Sequence, residues 1–299
     1  AVMSKKAANR IKTFFQNPAN VILVVFFVLL AALTLYPLLS LVLETYSVHP
    51  MEMQLIRKPT GALTPYHWKR LLAGGEYSVN NFYRPLLNTV FMSIIASVIA
   101  IFFGGSVAWL ITRSNLKYKK FISFVFVFPY IMPSWTLAMF WTNFFRNTNV
   151  GMGITGIFTA LTGIAMPEWF VYGLFPCSVV LGLHYSPFAY ILIGGILRNM
   201  DANLEEAATI LKASRAKIMR KITLPIVMPA LLSTFLLVFA SAMSAYAVPV
   251  FLGSPVRFWV LTTKMYTMMN GNFQGQGYII AFTMILFGIG ILGLNQWFT

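Results

Sequence analysis

The chain has 299 residues, of which 58% are hydrophobic and 10% charged, and its 22 Lys and Arg against 7 Asp and Glu give a net charge of +15. A soluble domain has about 25% charged and about 45–50% apolar residues, so this composition excludes an ordinary soluble fold as well as disordered, collagen-like and disulfide-stabilised chains. The single Cys177 cannot form an internal disulfide.

Six stretches are apolar and long enough to cross a bilayer, which takes about 20 residues of helix. In chain order they are residues 21–43, 87–111, 121–141, 175–197, 226–250 and 278–298. The sequence therefore predicts an all-α membrane protein with about six transmembrane helices. It divides into an N-terminal arm (1–20), a first helix with an external loop (21–85) and a five-helix core (86–299).

The basic residues divide unequally between the loops. The N-terminal arm and the loops after the second and fourth stretches hold 14 of the 22 Lys and Arg residues and three acidic residues. The longer loops on the other side hold eight basic and four acidic residues. Because loops rich in Lys and Arg face the cytoplasm, the sequence predicts a cytoplasmic N-terminus. This pattern explains the positive charge without nucleic-acid binding.

The six stretches contain no charged residue, which argues against a proton pump or a voltage sensor. The loop between the first two contains Pro, Trp and Tyr residues, and we expect it to have some order. Six spans would return the chain to the cytoplasm, where it stops at Thr299 without a basic anchor. We therefore expect either a very short tail or a longer polypeptide.

Motifs for the common catalytic and metal chemistries are absent from the sequence. No Gly is followed by Lys, so there is no phosphate-binding P-loop, and H-E-x-x-H, C-x-x-C and G-x-S-x-G do not occur. The three histidines, His49, His67 and His184, are far apart in sequence and lack the spacing of metal ligands. We expect no catalytic residue, no metal and no cofactor in this chain.

The most informative segment is the cytoplasmic loop at 198–225, between the fourth and fifth stretches. Asp201 or Asn203 can cap a helix, and the two glutamates at 205 and 206 lie in its first turn, where carboxylates favour the helix dipole. A bend after position 212 and a second short, basic helix at 215–222 follow, ended by the Pro at 225. The pattern predicts a short helical elbow that projects from the membrane.

This elbow resembles the hallmark loop of the permease subunits of binding-protein-dependent ABC importers. In that family E-A-A is followed after three residues by Gly and, after nine more, by I-x-L-P. Here E-A-A stands at 206–208 and I-T-L-P at 222–225, so the spacing is met in full. The departure is Lys212, where the family usually has Gly. Weaker similarities extend the resemblance over about residues 86–298.

The resemblance implies a transport subunit of the bacterial inner membrane that does not itself hydrolyse ATP. A dimer of separate ABC ATPases would bind ATP and Mg²⁺ and push on the elbow. A second permease unit, as a homodimer, a heterodimer or a fused repeat, would complete the path, and an extracytoplasmic substrate-binding protein would dock outside. The expected ATPase-coupling residues are Glu205, Glu206, Ala207, Ala208, Lys212, Ala213, Ser214, Arg215, Leu224 and Pro225.

The substrate is suggested by two further segments, S-A-Y-A-V-P-V-F-L-G at 244–253 and L-T-T-K-M-Y at 261–266. They look like the branch of the family that includes ferric iron, polyamine and phosphonate permeases, and the ferric type looks nearest. Ferric iron is therefore the favoured cargo, with the other small solutes as alternatives. Candidate path residues, which helix packing explains almost as well, are Ser178, His184, Tyr185, Ser241, Ser244 and Tyr246.

Two other classes of protein remain open. Lys212 in place of Gly favours a membrane scaffold that has the fold but moves nothing. A membrane enzyme is disfavoured because no acid, base or metal-binding group stands within the six stretches. Stimulation of ATPase activity by a cargo-loaded binding protein would distinguish the permease from the scaffold.

Overall fold

A computed structural model describes residues 14–148, 153–201 and 203–298. The basic residues of the predicted N-terminal arm, at positions 5, 6, 10 and 12, lie outside the described residues. Within these ranges the fold is helical, and an isolated antiparallel bridge joins Ser47 to Leu63. The predicted all-α fold is confirmed.

Eight principal helices form the framework of the described chain. They are α1 (Pro18–Glu44), α2 (Arg84–Arg113), α3 (Lys119–Ile131), α4 (Ser134–Phe145), α5 (Leu174–Asn199), α6 (Asn203–Ile210), α7 (Leu224–Met243) and α8 (Gln274–Phe298). Shorter helical segments lie at Pro50–Glu52, Met53–Ile56, Tyr66–Ala73, Glu76–Ser78, Val79–Tyr83, Ile157–Thr162, Glu168–Val171, Arg215–Ile218, Met219–Thr223, Ala247–Leu252, Ser254–Val256 and Leu261–Met269. Among the described residues, five helical runs can span a membrane by length and hydropathy, or six if the bent pair α3–α4 is one span.

Helix α1 begins where local chemistry favours a helix start. The Asn17 side chain accepts a hydrogen bond from the Ala19 N–H at 3.0 Å, and Pro18 occupies the first turn, where its missing N–H costs nothing. No residue of α1 is buried, and the helix packs on α8. Such an apolar helix needs lipid or another chain around it.

The centre of the bundle is the pair α2 and α5, which pack at very short range. A Cβ added to Gly104 of α2 would lie 2.3 Å from the Ser186 carbonyl oxygen, and one added to Gly182 of α5 would lie 2.6 Å from the Ile99 side chain. These two glycines let the backbones approach as larger residues could not. The buried cluster around Ala100, Ala189 and Ile193 continues this contact toward α7.

We expect Gly104→Ala to lower the free energy of unfolding by about 1–3 kcal/mol, because the new methyl group meets backbone atoms that cannot move aside. Gly105→Ala is the matched control, since its Cβ would meet the Ile193 Cδ1 at an ordinary 3.5 Å. Thermal unfolding of both variants in one detergent measures the difference. Equal unfolding midpoints would contradict this account of the α2–α5 contact.

The prediction of a single helix at 121–141 is wrong, although the bent pair that replaces it can still form one span. Helices α3 and α4 meet at an angle of 94°. Pro133 lies at the bend, and Met132 before it is extended with φ −73° and ψ 142°, because a residue preceding proline avoids the helical region. Proline thus breaks this segment, although membrane helices often tolerate it.

The prediction of a fifth span that continues to residue 250 is also wrong. Helix α7 ends at Met243, and a separate short helix, Ala247–Leu252, follows. The ring of Pro249 would clash with the carbonyl of residue 245 in a continuous helix. That carbonyl instead accepts a hydrogen bond from the Thr262 hydroxyl at 2.8 Å, which satisfies the broken turn.

The loop after α1, which is predicted to be external and ordered, is held in place by a buried carboxylate. Glu52 is 1% exposed, and its side chain accepts hydrogen bonds from the N–H groups of Gly275 at 3.1 Å and His49 at 3.3 Å. The Nε2 of His67 lies 3.4 Å from the same carboxylate and 3.0 Å from the Ser47 carbonyl oxygen. These contacts fasten the loop to the start of α8.

Burial lowers the pKa of His67 from its usual 6.5, because the imidazolium would lose its hydration, although the Glu52 carboxylate opposes this shift. Its buried Nδ1 has no hydrogen-bond partner among the described residues, and the contact of Nε2 with the Ser47 carbonyl oxygen requires a proton on Nε2. The lowered pKa favours the neutral ring. When the folded pKa of a histidine lies below the unfolded pKa, acidification favours the unfolded state.

The stability contributed by neutral His67 is present above its unfolded pKa and is lost as pH falls toward the lower folded pKa. We therefore expect the unfolding midpoint to decrease as the pH falls below about 6.5, the usual pKa of a histidine. His67→Gln is expected to unfold at a lower temperature throughout but with a smaller pH dependence. An unchanged slope in this variant would assign the acid sensitivity to other groups.

Candidate functional site

The predicted elbow begins with helix α6, which carries Glu205 and Glu206 in its first turn. The two neighbouring carboxylates face different surroundings. Glu205 is partly buried against the ends of other helices, whereas Glu206 and Ala207 are exposed. Ala208 is partly buried. Of these two adjacent glutamates, Glu205 therefore lies on the inner side of the elbow and Glu206 on its outer side.

Glu205 joins three parts of the chain. Its Oε2 lies 3.1 Å from the Arg113 Nε at the end of α2, and its Oε1 accepts a hydrogen bond from the Thr223 hydroxyl at 2.5 Å, just before α7. The other end of the Arg113 guanidinium donates to the Met200 carbonyl at 3.2 Å. Helix α6 is thus attached to the ends of α2, α5 and α7. Arg113 and Thr223 were not among the expected coupling residues, because this contact joins positions far apart in sequence.

The end of α6 explains the family's preference for Gly at position 212. Lys212 has φ 57°, its N–H donates to the Thr209 carbonyl at 2.9 Å, and the Ala213 N–H donates to the Ala208 carbonyl at 3.0 Å. This pair of bonds is a Schellman motif, whose left-handed residue is usually glycine. Lys212 adopts the geometry that Gly favours, so the bend is present despite the substitution.

We expect Lys212→Gly to stabilise the elbow by about 1 kcal/mol, since a non-glycine residue pays roughly that amount for left-handed backbone. Hydrogen exchange of the α6 amides would then slow by about fivefold. Lys217→Gly is the control, because that lysine lies in the helical segment Arg215–Ile218, where glycine destabilises by about 1 kcal/mol. Faster exchange in Lys212→Gly would contradict the Schellman assignment.

The prediction that the second helix ends at the Leu-Pro pair is wrong. Ser214 caps Arg215–Ile218 by accepting the Lys217 N–H at 3.4 Å, and the chain then runs through a π-helical turn, Met219–Thr223, directly into α7. Pro225 has no N–H, and its ring would clash with the carbonyl four residues earlier. The wider π turn accommodates both effects. A push on the elbow therefore reaches α7 without a loop between them.

The outward surface of the elbow carries large exposed apolar side chains beside charged ones. Ile210 and Leu211 are 80% and 82% exposed, and Leu204 is also exposed. Behind the elbow lies a cavity of about 350 Å³ whose lining includes Arg113, Glu205 and Arg215. The other expected coupling residues lie around this surface. Ser214, Leu224 and Pro225 are exposed, and Ala213 is partly buried.

Four of the candidate path residues lie inside the bundle. The Tyr185 hydroxyl donates to the Ser241 carbonyl oxygen at 3.2 Å, which brings α5 and α7 together at these positions. Ser178 is buried and donates to the Leu174 carbonyl of its own helix, and the His184 Nδ1 donates to the Pro129 carbonyl at 3.1 Å. The Ser241 hydroxyl donates to the Leu237 carbonyl at 2.9 Å. All four side chains thus have contacts within the bundle, and their part in a path stays a prediction.

The remaining two path candidates lie where α7 breaks. Ser244, directly after α7, donates to the Ala240 carbonyl at 2.9 Å. The Tyr246 ring lies 5.0 Å from the Tyr266 ring of the segment Leu261–Met269, at an angle of 51° between the ring planes. Both residues are partly open to the exterior of the chain. A surface of this kind could line a path shared with a second permease unit, and this too stays a prediction. No group of three or more His, Cys, Asp or Glu residues that could hold a metal occurs in the described chain.

Comparison with known proteins relates this arrangement to transport systems. The family model described as binding-protein-dependent transport system inner membrane component matches residues 96–299. A ferric transport system permease protein of Actinobacillus pleuropneumoniae is 25% identical over 190 residues, which are 63% of this chain and 27% of that protein. The chain thus spans less than a third of the length of the ferric relatives that it matches.

A second relative matches over nearly its whole length. The spermidine/putrescine transport system permease protein homolog of Mycoplasma genitalium is 25% identical over 275 residues, covering 90% of this chain and 87% of that protein. Among solved structures, a chain of a bacterial ABC transporter involved in the import of the acidic polysaccharide alginate aligns with a TM-score of 0.73 at 16% identity. That alignment covers 97% of this chain and 98% of the other, and it shows a shared fold.

Proposed function

Because the chain belongs to the family of binding-protein-dependent transport system inner membrane components, we propose that it lines the solute path of an ATP-driven importer. The chain acts as a transport subunit and not as an enzyme. ATP and Mg²⁺ bind to a separate ATPase dimer. A second permease unit completes the path, and an extracytoplasmic binding protein delivers the solute.

The observation that carries this proposal is the two-sided elbow. Its inner side is tied to α2 and α7 through Glu205, and its outer side presents Glu206 beside the exposed Ile210 and Leu211. An amphipathic helix of this kind suits a groove on a partner protein. Force applied to the outer side is passed to two helices by the inner side. Coupling then requires that the partner contacts differ between inward- and outward-facing states.

The orientation of the chain follows from the same role. The elbow and the basic loops beside it face the cytoplasm, where ATP is available, and the segment 45–83 lies outside. The proposed location is therefore the bacterial inner membrane, with the N-terminus inside, and the excess of Lys and Arg on that side supports this orientation.

Ferric iron is the proposed cargo, because segments 244–253 and 261–266 resemble the ferric branch and ferric permeases are among the relatives. A polyamine is the second candidate, because a relative named for spermidine and putrescine matches over 90% of this chain. The two cargoes differ in charge and chemistry, so they require different polar surroundings.

Native mass spectrometry of the gently solubilised complex tests the proposed role. We expect the chain to come with two ATPase subunits, which dissociate as separate masses. A reconstituted complex should then increase its ATPase activity when a cargo-loaded binding protein is added. An assembled complex without such stimulation would identify a scaffold, and the absence of any ATPase under several mild conditions would overturn the proposal.

A further inference from the structure

We propose that a cleft at the outer end of the bundle binds the oxyanion group of a small anionic solute. The outer end is the end opposite to the elbow: α2 begins there with Arg84 and reaches the elbow at Arg113, and α5 likewise runs from Leu174 toward the elbow. The cleft has a volume of about 820 Å³, which is in the range of small-molecule sites. That the bound solute is the cargo rests on the function proposed above.

The cleft is built on a fixed frame. Its lining includes Arg84 and Asn88 from the start of α2 and Arg257 from the turn after Ser254–Val256. The Asn88 side chain donates to the Trp259 carbonyl at 2.9 Å, and the Thr89 hydroxyl accepts the Leu261 N–H at 2.8 Å. These bonds hold the segment that carries Arg257 against the helix that carries Arg84. Arg84 and Arg257 therefore line one space from connected elements.

The charge in the cleft is positive on balance. Neither Arg84 nor Arg257 has an ion pair or a side-chain hydrogen bond within the part of the chain that the structure describes. Glu168 also lines the cleft and offsets one of the two charges. The first residues of α5, Leu174 and Phe175, add the positive end of a 26-residue helix that Gly173 leaves without a side-chain cap. A concave surface of one net sign raises the local concentration of the opposite ion.

Guanidinium groups favour carboxylate and phosphate because their donors match two oxygens at once. A polyamine, which is a polycation, would be repelled by the same surface. A bare ferric ion would be repelled as well, whereas an anionic ferric chelate would be attracted. The cleft therefore favours an anionic solute, or iron carried by one, over the polyamine alternative.

The test uses the full-length chain in nanodiscs of zwitterionic phosphatidylcholine, with citrate, ferric citrate, phosphate and spermidine as probes in calorimetric titrations. We expect at least one of the anions to bind and spermidine not to bind. Arg84→Gln and Arg257→Gln should each weaken anion binding by about tenfold, the value of one charge-assisted hydrogen bond. Glu168→Gln should tighten it, because that carboxylate repels the ligand.

Arg57→Gln is the matched control. Arg57 is an exposed residue of the same external region, and its backbone is left-handed like that of Arg257, with φ 58° against 55°. It does not line the cleft. Anion affinity should stay unchanged in this variant. The unfolding midpoints of all four variants would show whether any loss of binding reflects a loss of folding.

Three results would overturn the proposal: no anion binds to the wild-type chain, spermidine binds better than the anions, or the Arg57 variant loses as much affinity as the two cleft variants. A second arm uses nanodiscs that contain anionic lipid. Retention of that lipid through Arg84 and Arg257, without binding of soluble anions, would assign the cleft to lipid headgroups and also overturn the proposal. If the chain does not bind anions, its assembly with the ATPase is unaffected. If the ATPase does not assemble with the chain, anion binding by the isolated chain can still be measured.

Discussion

Replacing Glu205 with alanine is expected to remove most of the coupling between ATP hydrolysis and the movement of the spans, while the ATPase remains bound. The Arg113 guanidinium and the Thr223 hydroxyl would lose their common partner. Leaving a partly buried charge unpaired costs about 1–3 kcal/mol. The cost is well below that for a fully buried ion pair, because the side chains of Arg113 and Glu205 are 15% and 19% exposed. A free-energy loss of this size changes an equilibrium constant by about tenfold or more.

The measurement for Glu205→Ala is ATPase activity of the reconstituted complex with and without cargo-loaded binding protein. We expect basal activity to persist and stimulation to fall by about tenfold. Thr209→Val is the control, because the Thr209 hydroxyl donates to the Glu205 backbone carbonyl within α6 and its loss should leave the contacts between helices intact. If Glu205→Ala retained full stimulation, the elbow would transmit motion by another route.

A double-mutant cycle with Thr223→Val separates the direct contact from general loosening of the elbow. If the two side chains act through their 2.5 Å hydrogen bond, the effects of the single substitutions should not add. Coupling energies for such contacts are about 0.5–3 kcal/mol. Strict additivity of the two substitutions would mean that Glu205 acts mainly through Arg113.

Glu206→Lys is expected to prevent the ATPase from binding while the chain remains inserted and folded. The Glu206 side chain is exposed on the same helix as Ile210, and it has no hydrogen bond or ion pair within the described chain. Reversing its charge therefore has little effect on folding. At a docked interface whose partner surface complements a carboxylate, the lysine would place like charges side by side, which costs several kcal/mol.

The amount of ATPase that copurifies with the chain measures this effect, and we expect a decrease of about tenfold or more. Lys117→Glu is the control. It makes an equally large change of charge at an exposed position shortly after the end of α2. Glu206→Gln should show a smaller loss than Glu206→Lys. Normal assembly and normal stimulation in Glu206→Lys would show that this face of α6 does not dock on the partner.

The all-α membrane fold could be predicted because hydropathy acts locally. A run of about 20 apolar residues has few alternatives to a helix in lipid, and the observed α1, α2, α5 and α8 lie within a few residues of the predicted stretches. The stretches that failed contain proline. Pro133 bends the third, and Pro249 follows the break in the fifth. Proline allows both a kink and a break, and neighbouring helices decide between them.

The elbow could be located from the sequence because its signals are also local: carboxylates in a first turn and a fixed spacing to a Leu-Pro pair. The sequence shows that Lys212 stands where the family usually has Gly, but it does not show how the backbone responds to this replacement. Whether a lysine accepts left-handed backbone depends on the hydrogen bonds that surround it, and the Schellman pair at Thr209 and Ala208 supplies them.

The sequence by itself determined the environment of this protein, the number of its apolar segments and the position of the elbow, because these depend on composition and on spacings of a few residues. Only the tertiary structure decided which of two adjacent glutamates faces inward, since that depends on Arg113 and Thr223, far away along the chain. The same holds for the outer cleft, whose arginines lie more than 170 positions apart and meet because Asn88 binds the Trp259 carbonyl. Contacts between distant positions leave no periodic pattern, and they form only when the helices pack.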